Sequence, residues 1–411
     1  MKLLFSFLML LIVISANSQE YNLEYYFSHA RNNSPLLADY RNQMQAASVD
    51  SQLLKATQKI QVNGISSNYY APTVSGWGYD KIITNGAQVS AFVQANKNII
   101  TAANLATQYE TIRLMKESIG NTALLAEKDL RKTITAQYIT VYGDFQALKF
   151  SREVLSLFRS EDSLLKKLTQ AGVYKQTDYL TFYVSLQQQQ LVVRQSEIQF
   201  RNDCATLNYM SGLVDTSLIS VAAPDLQIGL LPDIISSPYY RQYTLDSLNL
   251  ANQQKSIFYT YKPKLNIYAD AGYNSSLQYQ AYKNFGLSAG LNFSIPIYDG
   301  KQQRMKYQKI NIAENTRQHY KDYFLKQYNQ QIAQLTQQLR STESLINDIN
   351  GQIKYSGTLI SVNKKLLETG EVRITDLILT VNTYLNARNL LNQNYVNRMQ
   401  IINQINYWQA L

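Results

Sequence analysis

The chain has 411 residues and a formal net charge of +10, with 39 Lys and Arg against 29 Asp and Glu. The basic residues are dispersed and form no dense stripe or nucleic-acid motif, so the charge reads as solvated helix faces and nucleic acid is excluded as a partner. The 2 histidines, His29 and His319, fall in separate helical segments with no nucleophile motif, phosphate loop or metal-ligand cluster beside them, which argues against an enzyme, a resident metal or a cofactor.

Met1-Lys2, an apolar run from Leu3 to Ile14, and small residues at Ala16 and Ser18 make residues 1–18 a secretory signal peptide. The run is shorter than a spanning helix needs, and no later stretch reaches that length, so any entry into a membrane must be by β-strands. The lone Cys204 permits no internal disulfide and reads as a small helix-packing residue. The 32 tyrosines suit sites where one end of a ring is apolar and the other wet, as at membrane interfaces and polar lumens.

In chain order, Ser34 as N-cap and Pro35 in the first turn predict a helix to roughly Lys59. Alternation then predicts strands near 60–70 and 87–96, the second with Ala87, Val89, Ala91 and Val93 on one face. Trp77 to Asp80 and Asn85-Gly86 read as the loop between them. A long helix follows from about Ile99 to Thr169, with Phe150, Leu157 and Leu164 at seven-residue spacing. It breaks at Ala171-Gly172-Val173 and restarts at Thr177-Asp178, running to about Met210. Gly212 to Pro238, with Pro224 and Pro232 inside, is a connector expected to pack across the outside of the helices.

The second half repeats the plan: a helix, strands near 263–274 and 284–298 alternating at period two, then a helix from about Lys301 to Glu368. That helix carries Leu325, Ile332, Leu339, Ile346, Ile353, Ile360 and Leu367 at unbroken intervals of seven, a coiled-coil-like seam that must pack on other long helices. Thr369-Gly370-Glu371 breaks it, with Gly370 as a left-handed C-cap and Thr375 as N-cap of a returning helix to Trp408. Gly172 and Gly370 lie 198 residues apart, as do Asp178 and Asp376. The chain therefore divides into the leader 1–18, a first repeat 19–211, the connector 212–238 and a second repeat 239–411. The fold class is mainly α with a membrane β part: long helical hairpins, plus four strands per chain. Four strands cannot close a barrel and an open edge in lipid is costly, while two copies would give only a plugged barrel; three copies give twelve strands, a pore and twelve long helices for a tunnel.

Several motifs now fall in a recognisable order. Tyr21-Asn22-Leu23-Glu24 through Asn33-Ser34-Pro35-Leu36 opens the chain, Ile295-Pro296-Ile297-Tyr298-Asp299-Gly300 joins strand to helix, Thr369 to Asp376 forms a tip, and Thr383 to Arg388 lies on the returning helix. Together they resemble the TolC-type outer-membrane efflux channels over essentially the whole mature chain. The resemblance implies a homotrimer in the outer membrane of a Gram-negative cell, with a shared 12-stranded β-barrel and a trimeric helical barrel in the periplasm. It also implies a tip docked on a periplasmic adaptor protein, and through it an inner-membrane pump of RND or ABC type. The chain would serve efflux or type I secretion as a passive duct. By the same resemblance Asp178 and Asp376 belong to a periplasmic gate, with Lys175 and Arg373 near enough to pair with carboxylates across tips; helix capping is the other reading of the two carboxylates. Where some members carry a second acidic residue, three positions on, this chain has Leu379. The turns at Gly172, Val173, Gly370 and Glu371 are assigned to adaptor docking. A periplasmic adaptor or structural coiled-coil protein is the alternative; such adaptors usually carry one helical hairpin, not two beside paired strands.

Overall fold

A computed structural model describes residues 21–72, 74–79, 86–214, 221–229, 234–277 and 280–408. The leader at 1–18, Asp80, Asn85 and Pro232 lie outside the described residues. The first element among the described residues is one the periodicity did not announce: α1 (Leu23–Asn33), opened by Asn22, whose side chain accepts a hydrogen bond from the Tyr25 N–H at 2.9 Å. The expected N-cap, Ser34, accepts from the Leu37 N–H at 3.3 Å and starts α2 (Pro35–Thr57), with Pro35 in first position where its missing N–H costs nothing.

Four strands form one antiparallel sheet in the order β1 (Gln61–Ala71), β2 (Gly86–Ile99), β3 (Lys264–Ser275), β4 (Phe285–Ser294). β2 runs three residues past its expected end and takes Ile99, which had been assigned to the following helix; Ile99 pairs with Leu265. β4 stops four residues short of 298, because Pro296 has no N–H to give a ladder.

The long helices are α3 (Ala102–Gln170) and α4 (Gln176–Met210) in the first half, α6 (Gln302–Glu368) and α7 (Ile374–Tyr407) in the second, with α5 (Pro238–Thr260) before β3. Pro238, placed at the connector's end by the sequence, is the first residue of α5. The repeat is visible in the elements: α3 and α6 end, and α4 and α7 begin, 198 residues apart, while Pro35–Thr57 and Pro238–Thr260 are both 23 residues long.

The chain separates into two compact units. Among the described residues, one comprises Asp39–Ala123 and Pro238–Tyr323, the other those up to Ala38, those within Leu124–Ser237 and those from Phe324 on. The first holds the sheet and is knitted by amides: Asn252 donates to the Thr107 carbonyl at 3.2 Å and to the Thr111 hydroxyl at 2.8 Å, and Asn121 to the Pro238 carbonyl at 3.0 Å.

The second unit holds the coiled-coil packing. On α6 the predicted seam is buried at Leu339, Ile346, Ile360 and Leu367 and half-buried at Leu325, Ile332 and Ile353. A second buried row lies three residues on: Tyr328, Leu335, Thr342, Ile349, Ser356 and Asn363. On α3 the expected row is corrected. Phe150, Leu157 and Leu164 are only half-buried, while Ile134, Val141, Leu148 and Leu155 form the buried seven-residue row. The Phe150 row sits to one side of the true seam, where large side chains cover its flank. Cys204 is buried against Tyr138, Phe200 and Leu207, and burial first, then the nearby Asp144 and Asp203, push its thiol up to about 12: an inert packing residue. In the connector, Val221 is buried and bridges Tyr21, and the Tyr138 hydroxyl contacts the Tyr21 and Ala222 carbonyls at 3.0 and 2.7 Å.

Candidate functional site

Both hairpin tips close in the same way, for a reason written in two glycines. Gly172 and Gly370 have φ of +78° and +77°, a left-handed conformation that lets the chain reverse while satisfying the last helical carbonyls. At the first tip the Gly172 and Val173 N–H groups donate to the Thr169 and Leu168 carbonyls at 3.1 and 3.0 Å. At the second, Gly370 and Glu371 donate to Leu367 and Leu366 at 3.2 and 2.9 Å. Each is a Schellman motif, and each returning helix then begins four residues after its glycine.

The N-cap positions are Lys175 and Arg373, neither making a side-chain cap. Thr375, expected as N-cap, is already inside α7: the Schellman turn consumes only Glu371 and Val372 before the chain re-enters the helix. Arg373 reaches one turn on to Asp376, Nε to Oδ2 at 3.2 Å, and Asp376 stands in the first turn of α7. Asp178 is half-buried in the first turn of α4, and neither it nor Lys175 or Glu371 forms an ion pair among the described residues.

The two tips touch. A side chain at Gly370 would come within 3.0 Å of Val173 Cγ1, and the Tyr174 hydroxyl lies 2.8 Å from the Leu367 carbonyl and 3.0 Å from that of Val372. Beneath them Phe158, Leu165, Phe182, Leu367, Ile374 and Leu377 form one buried cluster, so the tip is a packed unit carrying exposed charge. The structure thus brings Val173 to Gly370 and Arg373 to Asp376, and leaves Gly172, Lys175 and Glu371 exposed in their turns. Tyr174 was missed by sequence reasoning. The signal available was a break in the repeat: the matching position is Val372.

The sheet has two unlike faces. The pairings Tyr273↔Phe285, Ala271↔Leu287, Ile267↔Leu291 and Leu265↔Phe293, continued by Ile99, Val93 and Ala91 on β2, put the apolar residues on one side. The other side carries Asn63, Gln94, Asn96, Asn266, Asp270, Ser288 and Asn292. Most of these apolar side chains are exposed, with Leu287 at 87% and Leu291 at 69%, while Leu265 and Tyr273 are half-buried. β1 and β4 are both edges.

Two apolar rows on the long helices are also uncovered. Val184, Leu191 and Ile198 of α4 recur at seven residues with exposures of 64, 59 and 56%, and Leu345, Tyr355, Leu359 and Val362 line α6. The α4 row is legible in the sequence as a heptad.

No family model matches the sequence, and no curated protein matches it. Solved structures do. The chain superposes on CusC, studied for the conformational changes of folding and transmembrane channel formation, with a TM-score of 0.77 at 12% identity, covering 96% of this chain and 93% of CusC. The outer membrane protein VceC of Vibrio cholerae matches with a TM-score of 0.75 at 12% identity over 94% of this chain and 96% of VceC. The open-state outer membrane channel MtrE of Neisseria gonorrhoeae gives 0.74 at 9% over 94% and 88%.

The chain has the TolC-type fold. At such low identity the likeness is one of architecture. In the TolC-type fold of this chain the two candidate regions fall in different units: the tips in the unit with Leu124–Ser237, the sheet in the unit with Asp39–Ala123.

Proposed function

We propose that the chain is a subunit of a homotrimeric outer-membrane channel, a passive exit duct and not an enzyme. It serves a tripartite efflux or type I secretion system, taking substrates delivered by an inner-membrane pump through a periplasmic adaptor. The observation that carries this reading is the four-stranded sheet with one bare apolar face, one polar face and two free edges. A bare apolar face of this kind is stable in lipid, and free edges in lipid are stable only when another copy pairs with them. Three copies close about twelve strands around a lumen wide enough to conduct. The uncovered α4 and α6 rows support the same assembly, since a seam on one helix facing a different seam on the next copy is a head-to-tail contact that closes into a ring.

The exposed turns at Gly172, Val173, Gly370 and Glu371 are the surface offered to the adaptor, and Asp178, Asp376, Lys175 and Arg373 form the gate. Fractionation of cells with a planar-bilayer measurement tests the reading. A channel subunit stays in the outer membrane through carbonate extraction and, purified, gives discrete conductance steps. Release by carbonate and a silent bilayer would favour an adaptor or structural coiled coil.

A further inference from the structure

The polar face of the sheet is almost without charge. Between its ends it carries amides, hydroxyls, glycines and a few larger side chains such as Tyr268 and Phe92, and one carboxylate, Asp270, in the middle of β3. The only other charged residue on this face of the described strands is Lys264, at the start of β3 and about 20 Å along the strand at ~3.3 Å per residue. Lys97 belongs to the opposite face, where it pairs with Ile267. Asp270 stands across from Gln94 on one side and Ser288 on the other. The Ser288 hydroxyl donates to its Oδ1 at 2.8 Å, and no cation pairs with it among the described residues.

We propose that Asp270 makes the membrane part of the duct cation-selective. The inference rests on the trimeric-channel reading, which turns the polar face into the pore wall and places three Asp270 carboxylates at one height. Twelve strands about 4.8 Å apart and tilted by roughly 40° enclose a wall about 24 Å across, so each carboxylate lies about 12 Å from the axis. The Debye length is about 10 Å at 0.1 M salt, about 30 Å at 0.01 M and about 3 Å at 1 M, so the three charges fill the lumen with negative potential in dilute salt and are screened out in concentrated salt. The Ser288 hydroxyl holds the carboxylate in place and carries no charge to neutralise it.

The test is the reversal potential of the purified full-length channel in a planar bilayer under a KCl gradient from about 0.01 to about 0.1 M, repeated near 1 M. The wild type reverses on the cation-selective side in dilute salt and loses most of that preference near 1 M. Asp270→Asn, which keeps the Ser288 bond, lowers the cation-to-anion permeability ratio by about twofold or more in dilute salt. Asp270→Glu retains it, and Asp270→Lys moves the reversal to the anion side. An Asp270→Asn channel that conducts with the wild-type reversal potential overturns the assignment and places selectivity elsewhere, such as at the tip carboxylates. A wild type that never conducts defeats the channel reading beneath it as well.

Discussion

Arg373 and Asp376 form an ion pair whose side chains are 83% and 44% exposed, a setting in which such a pair contributes at most about 1 kcal/mol to stability. Its position in the tip therefore matters more than its strength. The double substitution Arg373→Ala and Asp376→Ala leaves the thermal midpoint within a few degrees and raises single-channel conductance; unchanged conductance would put the gate elsewhere. A second residue-scale feature is Asp144, whose Oδ2 is buried. Burial, then the hydrogen bond and charge of Asp203, push its carboxyl up to about 7. An acid raised in the folded state contributes stability that is full below its unfolded pKa of about 4 and is lost as pH rises through about 7. Wild-type melting followed by circular dichroism falls between pH 5 and pH 8, and Asp144→Asn, always neutral, flattens that dependence; parallel curves would mean that the carboxyl is not raised. At this scale the sequence supplied the turn glycines, since only glycine enters the left-handed region without strain. It could not supply Arg373's partner, which depends on a rotamer, nor the N-cap, which fell two residues before the threonine that looked suited to it.

Among the elements, the α6 seam was legible because Leu and Ile repeat every seven residues without a break. Its companion row was not, because Thr342, Ser356 and Asn363 interrupt it. Those polar residues find partners on the neighbouring helix or their own: Asn363 donates to Thr380 of α7 at 2.9 Å, and the Ser356 hydroxyl donates to the Gln352 carbonyl at 2.7 Å. The α1 helix escaped notice because its eleven residues are too few for periodicity to stand out, and its start is set by one capping side chain, Asn22. The uncovered row on α4 makes a prediction of its own. Val184→Asp with Leu191→Asp alters side chains bare in the single chain, so the monomer folds with its helical content intact. Each apolar side chain buried between copies is worth roughly 1.5–3 kcal/mol, so the variant loses its oligomer in detergent. Light scattering on the solubilised protein reads this directly, and a variant that keeps the wild-type mass would remove α4 from the subunit contact.

For the whole molecule, the sequence carried the fold class further than the site. Alternation on β3 and β4 revealed the two faces, and the four-strand count made a single-chain barrel impossible; pairing order and register needed the structure, since alternation does not say which strand lies beside which. The weaker first-half strands were legible because β1 and β2 precede a helix as β3 and β4 do. The central claim, that three copies close one barrel through their edge strands, is tested most directly by cross-linking those edges. In a Cys204→Ser background, cysteines are placed at Asn63 on β1 and, in turn, at Ser288, Asn292 and Ser294 on β4, and treated with a short bis-maleimide in intact outer membranes. Edge pairing between copies predicts a covalent ladder that ends at three chains. A ladder ending at two, or cross-linked monomers alone, would contradict it.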